Sequence, residues 1–255
     1  MLSFDVFGEI GAPGLLIAHG LYGSARNWRS IAKRLSKSHR VVAVDMRNHG
    51  ASPFLPEMTY FAMASDLAEV IDATEIGPAT VLGHSMGGKA VMSLALLHSE
   101  HVDRLIVADI APVKYDHGHA HIIDAMEAVP LDRIRRRSEA RDGLIAELDD
   151  PTLAAFLLQQ LDADETGFRW SLNLPVLRAN LPGLLDFPKF DATSSHSALF
   201  LSGAASDYVT DEGREAARAL FPNARFAALK GAGHWLHAEA PDAFVATVEA
   251  YLGAS

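Results

Sequence analysis

Six short apolar runs punctuate the chain: GLLIAH (Gly14 to His19), RVVAVD (Arg40 to Asp45), ATVLGH (Ala79 to His84), RLIVAD (Arg104 to Asp109), ALFLSG (Ala198 to Gly203) and ARFAAL (Ala224 to Leu229). Runs of this length without polar alternation fit strands buried on both faces, as in a mostly parallel sheet covered by helices. Between them, apolar residues recur at helical spacing. Trp28, Ile31, Ala32 and Leu35 form one such stripe and Ala64, Leu67, Ala68 and Ile71 another, with Lys33, Arg34, Asp66 and Glu69 on the opposite faces. The stretches Gly88 to Leu97, Glu212 to Phe221 and Pro241 to Leu252 read as further helices. The β–α succession predicts an α/β fold. It stops between residues 112 and 190, where the sequence is polar and helix-favouring, with no buried-strand run. Pro112 marks one edge of that segment, and Pro182, Gly183 and Pro188 mark the other. The pattern therefore predicts a core built from residues 1–111 and 191–255 and a helical lid inserted at 112–190.

Composition narrows the chemistry. With no cysteine among 255 residues there is no disulfide, thiolate zinc site, iron–sulfur cluster or cysteine nucleophile. A net charge of -10 argues against a nucleic-acid partner, which would call for clustered Lys and Arg. The start, MLSFDVFGEIGAPG, carries acidic residues and early glycines rather than a basic and then apolar leader. The apolar runs are far shorter than the roughly 20 residues needed to cross a bilayer. The expectation is a cytoplasmic protein without a membrane partner.

Gly83-His84-Ser85-Met86-Gly87 matches G-x-S-x-G at the end of a strand and the start of a helix, the context that motif requires. A sharp turn there strains the serine backbone, and only small residues at Gly83 and Gly87 avoid clashing with it. Ser85 then stands at a helix N-terminus, where developing negative charge is favoured. A hydroxyl nucleophile needs a base and a group that orients the base. Of 12 histidines, His234 lies in the glycine-rich loop Lys230-Gly231-Ala232-Gly233-His234-Trp235 just after the last strand. His39, His98, His101 and His196 fall at helix ends or loops, His84 is held inside the elbow, and His237 lies a helical turn too far on. Two acids stand at later strand ends, Asp109 after RLIVAD and Asp207 after ALFLSG, and position alone leaves both open. An oxyanion hole would come from the amide of Met86 and one in the loop His19-Gly20-Leu21-Tyr22-Gly23, with Leu21 the second donor.

In this order, HGLYGS, DMRNHGAS, GHSMGGK, ADIAP and GAGHW resemble the α/β-hydrolase superfamily. More narrowly they are similar to the bacterial esterase/thioesterase branch related to the mitochondrial abhydrolase-domain proteins. The resemblance spans nearly the whole chain and implies an α/β-hydrolase fold, with the 112–190 insertion as the family's lid. In most members the acid sits in a G-x-x-D-x-x-V setting; here Gly203 and Val209 fix that register, Ser206 takes the acid's place and Asp207 comes one residue late. The narrower branch places its acid in a D-I-[AS]-P setting, which Asp109-Ile110-Ala111-Pro112 fits. The resemblance thus favours Asp109, with Asp207 as the alternative. It makes Asp45-Met46-Arg47-Asn48-His49-Gly50-Ala51-Ser52 a structural turn near the site floor.

The expected activity is that of a serine esterase or thioesterase acting on a small-molecule ester or thioester through an acyl-enzyme, with no cofactor. A perhydrolase or haloperoxidase, or a non-catalytic ligand-binding relative, is the alternative, and monomer and homodimer are both open. His117, His119 and His121 alternate in a way that could bind zinc on a strand, but they open the lid without a fourth ligand, so no metal is expected. Arg133, Arg135, Arg136, Arg137 and Arg141 form a basic island, read as a solvated helix face balanced by Asp132, Glu139 and Asp142; the alternative is an anion site for the phosphates of coenzyme A. Phe156, Phe168, Trp170, Leu157, Leu161 and Leu177 read either as an apolar acyl pocket or as the lid's own core.

Overall fold

The structure, a computed structural model, describes residues 1–116, 118–165 and 167–254. The chain runs β1 (Phe4–Phe7), β2 (Gly14–Ala18), α1 (Arg29–Leu35), β3 (Arg40–Val44), α2 (Tyr60–Thr74), β4 (Ala79–His84), α3 (Met86–Leu97) and β5 (Val102–Ala108). It continues through α4 (Ala120–Ala128), α5 (Arg137–Leu148), α6 (Pro151–Leu158), β6 (Leu161–Asp164), β7 (Gly167–Trp170) and α7 (Leu174–Leu185). It closes with β8 (Ser197–Gly203), α8 (Asp211–Leu220), β9 (Ala224–Leu229), α9 (Leu236–Glu239) and α10 (Pro241–Gly253).

Seven strands form one sheet in the order β1-β3-β2-β4-β5-β8-β9, parallel except for the antiparallel edge strand β1. All six apolar runs are strands of it. Their lack of alternation has a direct cause, because successive residues feed two different cores. Leu16, Val42, Val81, Leu105 and Phe200 pack with α2 and α3 on one face. Leu15, Val41, Leu82, Ile106 and Leu199 pack with α1 and α10 on the other. Full burial of one such side chain contributes about 1.5–3 kcal/mol, which makes the strand register costly to slip.

That register brings the functional loops together. Ala18 lies opposite Gly83, His84 opposite Ala108, Ala108 opposite Leu201 and Gly203 opposite Leu229, so the carboxyl ends of β2, β4, β5, β8 and β9 form one continuous edge. Between β5 and β8 the described residues make four helices and also the antiparallel hairpin β6–β7. The hairpin corrects the expectation of a purely helical insertion. Leu161 and Trp170 pair at its base, with exposed Ala163 and half-buried Phe168 further along, a period-2 pattern too short to stand out in a polar stretch. Among the described residues, no helix is long and apolar enough to cross a membrane.

Candidate active site

Ser85 joins β4 to α3 with φ 52° and ψ -119°, a strained conformation fixed by its surroundings. A Cβ on Gly83 would lie 2.2 Å from the Gly87 carbonyl oxygen, and one on Gly87 would lie 2.3 Å from that of Ala18. Both positions therefore exclude any side chain. The Ser85 amide donates to the Ala108 carbonyl at 3.0 Å, tying the turn to the neighbouring strand end.

The His234 ring lines the same cavity as Ser85. Its Nδ1–H donates to Asp109 Oδ2 at 2.8 Å. Asp109 is fully buried, and three donors hold its carboxylate: beside His234, Oδ1 accepts from the Gly203 amide at 3.0 Å and Oδ2 also accepts from the Ser206 hydroxyl at 2.5 Å. Asp109 carries a positive φ of 53°, which turns the chain out of β5 toward β8. Asp207, the alternative acid, is exposed, whereas its neighbour Ser206, standing in the usual acid register, reaches the Asp109 carboxylate.

Several groups hold His234, and of these the sequence reading placed only His84, as packing beneath the site. His84 Nε2–H donates to the His234 carbonyl at 2.8 Å. Burial, with His234 and His237 nearby, pushes its pKa well below the usual imidazole value, so the ring is a neutral donor at pH 7. The Glu239 carboxylate accepts from the amides on either side of His234, Gly233 at 2.7 Å and Trp235 at 3.2 Å. Tyr208 stacks on the His234 ring with centroids 3.9 Å apart. His237 instead stacks on Trp28 at 4.2 Å in the core.

The loop His19–Gly23 faces Ser85 across a gap that admits only glycine at position 20, since a Cβ there would lie 2.8 Å from His84 Nδ1 and 3.2 Å from Ser85 Cβ. Leu21 and Met86 both line a cavity with Ser85. Two neutral histidines knit this loop to the DMRNHGAS segment. His19 donates from Nδ1 to the Gly20 carbonyl and accepts the Met46 amide at Nε2; His49 donates to the Arg47 carbonyl and accepts the Tyr22 amide. Asp45 caps the Ala25 and Ala51 amides, and Arg47 pairs with Asp66 at 2.6 Å. The segment braces the loop.

The alpha/beta hydrolase fold family matches residues 13–241. The chain belongs to this family. It is 41% identical to the esterase YbfF of Escherichia coli strain K12 over 93% of its own length and 92% of that protein's. It is 37% identical to the sn-1-specific diacylglycerol lipase ABHD11 of Xenopus tropicalis, over 97% of this chain and 80% of that one. A solved marine microorganism esterase superposes with a TM-score of 0.94 at 38% identity, over 98% of each chain.

In this hydrolase two cavities flank Ser85, and Leu21 and His119 line both. The first has a volume of about 50 Å³ and is walled by His234, Trp235, Trp28, Ile122, Leu153 and Phe156. The second, of about 30 Å³, is walled by Tyr60, Met86, Lys89, Tyr115, Leu184 and Tyr208. Of the six insertion residues singled out in the sequence, only Phe156 reaches a cavity beside Ser85. Leu157, Leu161 and Leu177 are fully buried in the core, and Phe168 and Trp170 pack against it, because apolar residues on the inner face of a small subdomain are consumed by its own packing. His117 lies outside the described residues; His121 is exposed and His119 overlooks Ser85. The basic island is exposed. Arg133, Arg136 and Arg141 pair with Asp132, Glu139 and Asp142, and Arg137 donates to the Leu158 and Leu161 carbonyls.

Proposed function

We propose that this hydrolase cleaves carboxylic esters through an acyl-enzyme on Ser85, with His234 as base, Asp109 as the acid that orients it, and the amides of Leu21 and Met86 as the oxyanion hole. Ester hydrolysis itself is shared with its relatives: the chain is a carboxylic ester hydrolase. The observation that carries the finer reading is the 2.8 Å bond from His234 Nδ1 to a fully buried carboxylate, made by a ring that lines one cavity with a serine in a strained elbow.

Ser85 Oγ attacks the acyl carbonyl carbon while its proton passes to His234 Nε2. The carbonyl electron pair moves to oxygen, held by the two amides; one such donor lowers the barrier by about 2.7–4 kcal/mol. Collapse expels the alcohol, which takes the proton from His234. Water then attacks the acyl-enzyme by the same route and regenerates Ser85. Asp109 stays ionised throughout: its Nδ1 bond fixes the tautomer that leaves Nε2 free to accept, and its carboxylate stabilises the imidazolium. The 112–190 insertion acts as a lid over Ser85, since Ile122, Leu153, Phe156 and Leu184 come from it.

The test is a p-nitrophenyl ester series run beside acyl-CoA thioesters on wild type and Ser85→Ala. Ser85→Ala is expected to lose activity on every substrate that wild type cleaves. Full retention would refute the mechanism. Hydrolysis of the thioesters at rates comparable with the esters would extend the substrate class.

A further inference from the structure

Lys89 sits one turn into α3, four residues after Ser85, and is 1% exposed. Among the described residues, no carboxylate comes within ion-pair reach of it. Instead, its Nζ donates to three backbone carbonyls: Val113 at 2.9 Å, Leu185 at 2.9 Å and Asp186 at 2.8 Å. Val113 belongs to the chain entering the insertion, and Leu185 and Asp186 to the chain leaving it. One ammonium, with three N–H groups and no acceptor, therefore joins both ends of the insertion to the helix that begins at the nucleophile. Tyr115 reinforces the junction by donating its amide to the same Leu185 carbonyl, and Tyr60 donates its hydroxyl to the Leu184 carbonyl at 2.6 Å. The ammonium also lies 4.7 Å from the Tyr115 ring centroid, a favourable cation–π position.

Of these groups, Lys89, Tyr60, Tyr115, Leu184 and Leu185 line the smaller cavity beside Ser85. Chemistry assigns that cavity's occupant. The leaving alcohol must meet His234 to receive its proton, so the alcohol belongs in the cavity that His234 lines, and the acyl group falls into the other. At about 30 Å³ against about 50 Å³, the acyl side is the narrower of the two.

We propose that Lys89 is a positioning residue that clasps both ends of the insertion to α3, and that this clasp fixes the wall of the acyl cavity and restricts the enzyme to short acyl chains. This rests on Ser85 being the nucleophile. Burial pushes the Lys89 pKa down to about 7, and Asp186 opposes the shift. Methionine at 89 would keep the stem's bulk but free the three carbonyls. The two hinge chains would then separate and the cavity would lengthen.

The experiment measures kcat and KM for p-nitrophenyl acetate, butyrate and octanoate with wild type, Ser85→Ala, Lys89→Met, Lys89→Arg and Tyr60→Phe, each checked by thermal melting. Wild type is expected to prefer acetate and butyrate. Lys89→Met is expected to raise the octanoate-to-acetate ratio of kcat/KM at least about tenfold through KM, with Lys89→Arg returning part of the wild-type ratio. Tyr60→Phe, which removes a single hydroxyl from the same hinge, shifts the ratio in the same direction by less, and it decides the matter should Lys89→Met fail to fold. A wild type that prefers octanoate, or an unchanged ratio in the folded hinge variants, overturns the clasp. With Ser85→Ala inactive, that result leaves the Ser85 mechanism standing; an active Ser85→Ala would instead remove the foundation.

Discussion

Ser206 donates its hydroxyl hydrogen to Asp109 Oδ2, the same oxygen that receives Nδ1–H of His234. The loop after β8 thus presents a neutral donor to a carboxylate at the end of β5. Without Ser206 the buried charge would keep two of its three donors. A charge-assisted hydrogen bond contributes about 1.5–3 kcal/mol, so Ser206→Ala should lower kcat by about ten- to a hundredfold with little change in KM. Asp109→Asn, which disturbs the tautomer of His234, should cost about four orders of magnitude, and Asp207→Asn less than about threefold. A larger loss from Asp207→Asn than from Asp109→Asn would move the acid to β8.

Glu239 grips the amides on both sides of His234. Glu239→Ala should therefore release the loop without touching substrate. Two lost bonds of about 1 kcal/mol each predict a fall in kcat of about ten- to thirtyfold and a global melting temperature close to wild type. Glu239→Gln, which keeps an acceptor for one of the amides, should recover part of the loss.

Stability should fall on mild acidification, and the sign follows from four buried histidines. Desolvation lowers His19 to about 4 and His49 and His237 to about 3, and pushes His84 well down too. In the unfolded chain each takes up a proton near 6.5. Between these values the unfolded state holds more protons, so stability rises with pH there. The contribution is complete above about 6.5 and is lost as pH falls toward 3–4, by at most about 1.4 kcal/mol per pH unit for each histidine. Urea unfolding at pH 7.5 and pH 5.0 reads the slope, and His237→Phe, which can keep the stack on Trp28, should flatten it by one histidine's share. An unchanged slope in that variant would mean that His237 carries a proton in the folded state.

Much of the fold was legible because the strands are buried on both faces, which writes them as unbroken apolar runs. The edge strand Phe4–Phe7 and the hairpin at Leu161–Trp170 were missed, since four-residue strands on an edge or in a polar insertion carry no such run. In the site, Ser85 and His234 were marked by glycines that the local geometry demands. Ser206 and Lys89 were not, because each acts on groups distant in the chain: Ser206 on an acid 97 residues away, Lys89 on carbonyls as far as 97 residues along. Glu239 acts locally, on the Gly233 and Trp235 amides, but an exposed glutamate beside a loop carries no mark of that role. A buried lysine reads in sequence as a solvent-facing one until its carbonyl partners are seen.

The central claim is a covalent acyl group on Ser85, and intact-mass and peptide analysis after reaction with a slowly hydrolysed p-nitrophenyl ester tests it most directly. The account predicts a single acyl adduct on the peptide carrying Gly83-His84-Ser85-Met86-Gly87, formed with a burst of one p-nitrophenolate per chain and absent from Ser85→Ala. An adduct on another residue, or the same burst from Ser85→Ala, would contradict it.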